Sequence, residues 1–99
     1  MKYELISKIC NQTGNYWDFT KIVIISGKKI KVKIKRDAYD EQSYAKVELW
    51  SNDKWNHVYN VPIVKCHSKN ISYVQDKIDE SLFEKDFEDL LNIAIKIIC

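Results

Sequence analysis

The chain has 99 residues, of which 45% are hydrophobic and 30% are charged, and its formal net charge at pH 7 is +2. This length and composition predict one globular domain with one core, and they exclude an intrinsically disordered chain and a two-domain protein. With two glycines and one proline, the chain also has no flexible linker or low-complexity tail. We therefore expect a single domain over residues 1–99.

The opening segment, residues 2–10, fits two structures. Tyr3, Leu5 and Ile9 lie two or four residues apart, which favours a strand. Helical turns that place Leu5, Ile6 and Ile9 together are the alternative. We favour the strand.

Residues 16–26 and 29–36 predict a first hairpin. The first strand alternates so that four apolar residues share one face: Trp17, Phe19, Val23 and Ile25. The second strand places Ile30, Val32 and Ile34 on one face and four lysines on the other: Lys29, Lys31, Lys33 and Lys35. A type II′ turn with Gly27 at its first central position pairs Ser26 with Lys29, and Val23 then faces Val32.

Residues 44–50 and 55–61 predict a second hairpin. Its turn is Asn52-Asp53, because both residue types tolerate a positive φ. This turn places Trp50 opposite Trp55 and Lys46 opposite Tyr59. One face of the hairpin is then expected to carry six side chains: Tyr44, Lys46, Trp50, Trp55, His57 and Tyr59.

After this hairpin, Pro62 ends regular pairing or marks an edge strand, because it has no N–H to donate. Residues 63–75 stay open between strand and helix, with a short strand around residues 71–74 as one alternative.

Residues from about 81 to 98 predict a helix. Ser81 and Glu84 have the spacing of a capping box. An apolar stripe follows at helical spacing: Phe83, Phe87, Leu90, Leu91, Ala94, Ile97 and Ile98. This stripe is expected to cover the sheet, since no other segment is suited to do so. The predicted fold class is α+β, a single antiparallel sheet of four to five strands, within residues 1–75, packed against one C-terminal helix.

Charge is divided unevenly along the chain. Residues 1–69 carry thirteen Lys and Arg against seven Asp and Glu, a net of +6, whereas residues 70–99 carry three against seven, a net of −4. The structural explanation is that lysines on a solvated strand face prevent edge-to-edge pairing of sheets, and that acidic side chains stabilise the start of a helix. The functional explanation is a basic surface that meets phosphate or an acidic protein patch.

The candidate binding residues combine both hairpins. They are Tyr44, Lys46, Trp50, Trp55, His57 and Tyr59, joined by Lys31, Lys33 and Lys35. Aromatic rings interleaved with basic side chains bind single-stranded bases in many modules. Aromatic cross-strand pairs also stabilise sheets that bind nothing, and that structural explanation is the stronger one from sequence alone.

Catalytic and metal-binding signatures are missing from the sequence. With Gly14 and Gly27 as its two glycines, the chain has no P-loop or dinucleotide fingerprint, and it has no GxSxG or HExxH motif. The three cysteines are scattered without metal-ligand spacing. We expect no catalytic residue, no metal, no cofactor and free thiols. If the protein were a small nuclease, Glu48 opposite His57 would be its acid–histidine pair.

Neither a signal-peptide pattern nor a membrane-length apolar run occurs in the sequence. Together with the odd cysteine count, this predicts a cytoplasmic protein that does not bind membranes.

Residues 36–50, continued by Trp55–Val58, resemble small accessory proteins carried by phages and plasmids. The resemblance reaches no named family, so it assigns no role to a residue. Three functions are weighed: a non-catalytic inhibitor or accessory protein that docks on another protein, a single-stranded nucleic-acid binder, and a small nuclease or toxin. We favour protein docking. The apolar segment 93–99 leaves a homodimer as a further alternative.

Overall fold

A computed structural model describes residues 2–13, 16–37, 44–62 and 80–98. It has five strands and one helix: β1 (Glu4–Thr13), β2 (Tyr16–Ile25), β3 (Lys28–Asp37), β4 (Tyr44–Ser51), β5 (Lys54–Pro62) and α1 (Glu80–Ile98). The strands form one antiparallel sheet in the order β1-β2-β3-β4-β5, so each lies beside its neighbour in sequence. The predicted α+β fold is confirmed. The undecided segment 63–75 lies outside the described residues.

The core lies between one face of the sheet and α1. Its buried apolar side chains come from β2, β3, β4 and the helix: Trp17, Phe19, Val23, Ile30, Val32, Ile34, Ala45, Val47, Phe83, Phe87, Leu90, Leu91 and Ala94. Alternation in the strands and helical spacing in α1 produce this layer, as predicted. Ile97 is an exception, since it is 55% exposed although the predicted stripe included it.

The first hairpin forms, but its predicted turn was wrong. Ser26 and Gly27 occupy the two central positions with φ values of 52° and 75°, the pattern of a type I′ turn. Ile25 therefore pairs with Lys28, and Val23 faces Ile30 instead of Val32. Because the pairing differs by two residues and side chains alternate with a period of two, every side chain keeps its predicted face.

The second hairpin turns at Asn52-Asp53 as predicted, and both residues have positive φ. Trp50 pairs with Trp55. Glu48 pairs with His57, also as predicted. Beyond that pair the predicted register was wrong, because β5 has a bulge at Val58, an extra residue between the Glu48–His57 and Val47–Tyr59 pairs. All pairs from the bulge onward differ from the prediction.

The ends of the secondary elements confirm one expectation and correct another. β1 covers the opening segment, so the strand assignment is confirmed. Helix α1 begins at Glu80, one residue before the predicted cap Ser81. The Glu84 carboxylate accepts a hydrogen bond from Lys21 and forms an ion pair with Lys8.

Candidate functional site

The side of the sheet that faces away from α1 carries most of the candidate residues, and we call it the outer face. Ile30, Val32 and Ile34 of β3 point into the core, so the alternating lysines point the other way. Cross-strand pairing then defines the outer face by these residues: Ser7, Ile9, Asn11, Tyr16, Asp18, Thr20, Ile22, Ile24, Lys29, Lys31, Lys33, Lys35, Tyr44, Lys46, Glu48, Trp50, Trp55, His57 and Asn60.

The centre of the outer face is a row with two adjacent lysines. Lys33 pairs directly with Lys46 on one side and with Thr20 on the other. Asn60 lies beyond Lys46. Neither lysine forms an ion pair with a described residue. Two positive charges therefore meet across neighbouring strands without a carboxylate from the described part of the chain between them.

Trp50 and Trp55 form an aromatic pair at the tip of the second hairpin. Their ring centroids are 5.2 Å apart and the planes meet at 68°, an edge-to-face contact. Lys31 Nζ lies 4.4 Å from the Trp55 centroid and Lys29 Nζ lies 5.4 Å from the Trp50 centroid, distances at which cation–π attraction operates. Trp50 remains 40% exposed. The pair is thus ordered by its neighbours and still reachable.

Asn56 braces this hairpin tip from within. Its side-chain Nδ2 donates to the carbonyl oxygens of Ser51 at 3.0 Å and Lys54 at 3.2 Å. These bonds satisfy turn carbonyls and hold the two strands together next to the tryptophans. Sequence reasoning overlooked this asparagine, although an Asn next to a two-residue turn is a common turn-stabilising residue.

Two carboxylates also belong to the outer face. Glu48 pairs with His57 across the strands, as predicted, and its Oε1 lies 3.6 Å from Lys31 Nζ. Asp18 Oδ1 accepts a hydrogen bond of 3.1 Å from the Thr20 hydroxyl. The Glu48 charge is therefore partly matched by Lys31. The outer face carries both signs, with positive charge in excess.

Tyrosines on the outer face also contact lysines, with one exception among those predicted. Lys35 Nζ lies 4.4 Å from the Tyr16 ring centroid, and Lys46 Nζ lies 5.6 Å from that of Tyr44. Tyr59 was placed on this face by the sequence, but it packs against the core. The bulge is the reason, because the extra residue aligns Tyr59 with core-facing Val47 instead of Lys46.

A charged cluster on the helix side of the sheet was missed by the sequence analysis. Lys21 is 6% exposed, and its Nζ donates to the Tyr3 hydroxyl at 2.6 Å and to Glu84 Oε2 at 2.9 Å. Lys8 Nζ lies 3.0 Å from both Glu80 Oε2 and Glu84 Oε1. The cluster joins β1, β2 and the first turns of α1. Its signal in the sequence is a lysine at an apolar-face position, between Phe19 and Val23.

The pKa values in this cluster follow from burial and pairing. Burial lowers the pKa of Lys21, but hydrogen bonds to Tyr3 and Glu84 outweigh it and the net pKa is raised. Burial raises the pKa of Glu84, yet bonds from Lys21 and Lys8 hold it below its ordinary value. Hydrogen bonds to Glu80 and Glu84 raise the pKa of Lys8. Lys8, Lys21 and Glu84 are thus held in their charged forms.

Cys10 is a free thiol packed against the core, and burial raises its pKa. Within the described ranges, no three His, Cys, Asp or Glu side chains are grouped so as to hold a metal ion. No helix in the described part of the chain is long and apolar enough to cross a membrane.

Comparison of the chain with protein-family models, curated proteins and solved structures found no match. The outer face is therefore interpreted from its own chemistry.

Proposed function

We propose that this protein is a non-catalytic binding module that docks on another protein through the outer face. One observation carries the proposal: Lys33 and Lys46 lie side by side without a described carboxylate partner, on a face that α1 does not cover. Like charges directly opposite each other destabilise a sheet. Such a departure from good sheet design is expected where a surface serves binding rather than folding.

The aromatic pair supports a protein partner. Hot spots of protein interfaces are enriched in tryptophan, near charged and polar groups that steer association. Trp50 is exposed enough to enter a partner's pocket, and its position is fixed by Trp55 and Lys29. An anchor that is ordered before binding loses little side-chain entropy on docking.

Docking alone is sufficient for a protein that acts as an inhibitor or accessory protein. A small module that covers a functional surface of its partner inhibits it without any chemistry of its own. The resemblance of residues 36–50 and 55–58 to accessory proteins of phages and plasmids is in keeping with an inhibitor of this kind.

Binding of a single-stranded nucleic acid is the second candidate. It is favoured by the presence of Lys31, Lys33, Lys35 and Lys46 on the same face as Tyr44 and both tryptophans, the combination used by base-stacking modules. Two details weaken it. Lysine ammonium groups lie over both indole rings, where a base would have to stack, and Glu48 and Asp18 repel phosphate.

Affinity capture with matched variants tests the proposal. The wild type, Lys33→Glu and Trp50→Ala are compared with Lys85→Glu, which makes the same charge change on the exposed side of α1. We expect one protein to be retained by the wild type and Lys85→Glu and lost with both outer-face variants. That protein, once purified, should bind the wild type with a defined stoichiometry in calorimetry.

Two outcomes would contradict docking through this face. If all four baits retain the same proteins, the outer face is not the interface. If retention disappears after nuclease treatment, and oligonucleotides bind at physiological salt and lose about 1–3 kcal/mol with Trp50→Ala, the nucleic-acid function replaces the first.

A further inference from the structure

We propose that the Lys33–Lys46 pair is a carboxylate-recognition centre, and that the partner presents an acidic surface with an apolar side chain nearby. This inference rests on the proposed function and names the chemistry of its partner. It starts from the central row of the outer face, where Thr20, Lys33, Lys46 and Asn60 lie next to one another on four strands.

The row offers lysine and amide donors to an anion. Two lysine side chains lie at its centre and the Asn60 amide lies beyond Lys46, whereas the Thr20 hydroxyl donates its proton to Asp18. Directly opposite residues in an antiparallel sheet have Cβ atoms about 4.5–5.5 Å apart. At that spacing, one carboxylate can bridge both ammonium groups, or two neighbouring carboxylates can each accept from one. Binding removes the repulsion that the free protein carries.

The tryptophan pair sets the second requirement on the partner. Lys33 and Lys29 are four residues apart on β3, and Lys29 lies against Trp50. Four residues of an extended strand span about 13 Å. A complementary partner therefore carries its carboxylates roughly 13 Å from an apolar side chain that meets the tryptophans.

Carboxylates fit this face better than a line of phosphates. The rows on either side of Lys33 contain Glu48, next to Lys31, and Asp18, next to Lys35. A phosphodiester chain that follows β3 would pass close to both carboxylates. A protein surface with localised acidic groups can contact the central row alone and place neutral or basic side chains over Glu48 and Asp18.

A designed peptide tests the inference. The probe is a short extended peptide with two glutamates two residues apart and a leucine four residues beyond the second, so that all three side chains share one face. Its control has glutamines in place of the glutamates. At low ionic strength we expect the wild type and Lys85→Gln to bind the glutamate peptide, and Lys33→Gln or Lys46→Gln to bind it about tenfold more weakly. The glutamine peptide should bind no better than the lysine variants bind the probe.

The outcomes separate the two proposals. If Lys33→Gln and Lys46→Gln bind the glutamate peptide as the wild type does, the carboxylate centre is refuted. If oligo(dT) binds more tightly than the peptide and the same variants abolish that binding, phosphate is the ligand and the inference fails. In the first case, loss of a captured protein with Trp50→Ala would still support docking through the outer face; in the second, it would do so only for a protein that the wild type retains after nuclease treatment. Retention by every outer-face variant would refute docking as well.

A stability measurement guards against misfolded variants. Because the lysine pair is repulsive in the free protein, Lys46→Gln should raise the denaturant midpoint while it weakens peptide binding. Loss of binding together with a lower midpoint would indicate damage to the fold, and would count against the inference.

Discussion

The charged cluster around Lys21 attaches α1 to one face of the sheet. Removing one charge from this cluster therefore tests how strongly it holds the helix on that face and away from the outer face. We consider Glu84→Gln. The substitution keeps the shape of the side chain but removes the charge that Lys21 and Lys8 contact at 2.9 and 3.0 Å. Lys21 keeps its hydrogen bond to Tyr3 and lies 4.4 Å from the Phe87 ring centroid.

The expected cost follows from burial. Breaking a fully buried ion pair costs about 3–5 kcal/mol, because an uncompensated charge remains inside. The Lys21 side chain is 7% exposed, but that of Glu84 is 32% exposed, so solvent screens part of the interaction. The Tyr3 hydroxyl still solvates the ammonium. We therefore expect Glu84→Gln to lower the free energy of unfolding by about 2 kcal/mol at pH 7.

The pH dependence has a defined sign. The pKa of Glu84 is lowered in the folded state, so its contribution is present above the ordinary carboxyl value of about 4.3. That contribution is lost as pH falls through the folded pKa. Glu84→Gln should therefore differ from the wild type by less at pH 3.5 than at pH 7. The raised pKa values of Lys21 and Lys8 add a loss of wild-type stability above about pH 10.4.

Urea denaturation followed by tryptophan fluorescence measures these differences. Glu88→Gln serves as the matched control, since it makes the same charge change on α1 outside the cluster, and it should change stability by less than about 0.5 kcal/mol. The reasoning is refuted if both variants lose the same stability. It is also refuted if the loss in Glu84→Gln is undiminished at low pH.

Two further predictions concern the two faces of the sheet. Phe87→Ala should cost about 3–5 kcal/mol, because the ring is fully buried and contacts Tyr3 edge-on, whereas Ile97→Ala on the exposed side of α1 should cost less than about 0.5 kcal/mol; equal midpoints would contradict the packing of the helix. Lys46→Gln should raise the free energy of unfolding by about 0.2–1 kcal/mol in dilute buffer, and the gain should shrink at 1 M salt, where the Debye length is about 3 Å; a gain that ignores salt would show that repulsion is not the cause.

Most side-chain faces of β2, β3 and α1 were predictable from the sequence, because alternation in the strands and helical spacing in α1 each have a fixed period; Ile97 at the end of the stripe is the exception. The turn of the first hairpin was not predictable, since Ser26 adopts a positive φ that a serine disfavours. The predicted pairing of β2 with β3 was therefore wrong by two residues. This changed the cross-strand partners but left each side chain on its predicted face.

Charged residues on the core side were harder to predict. Lys21, Arg36 and Asp86 are all buried, each at a position where the period requires an apolar side chain. Binary patterning treats such residues as exceptions, and their partners come from distant segments, as Lys21 shows with Tyr3 and Glu84. Long-range pairing of this kind has no local signal in a single sequence.

The bulge at Val58 turns Tyr59 towards the core, and a pair of tyrosine variants tests this placement. Tyr59 packs against the core, whereas Tyr44 belongs to the outer face under Lys46. Tyr59→Ala should cost roughly 2 kcal/mol, less than a fully buried ring, and leave binding of the glutamate peptide unchanged. Tyr44→Ala should cost less than about 1 kcal/mol and weaken binding, because the Lys46 ammonium loses the ring that positions it. The reverse pattern, with Tyr59→Ala impairing binding at unchanged stability, would mean that β5 pairs without the bulge and that the regular register was right.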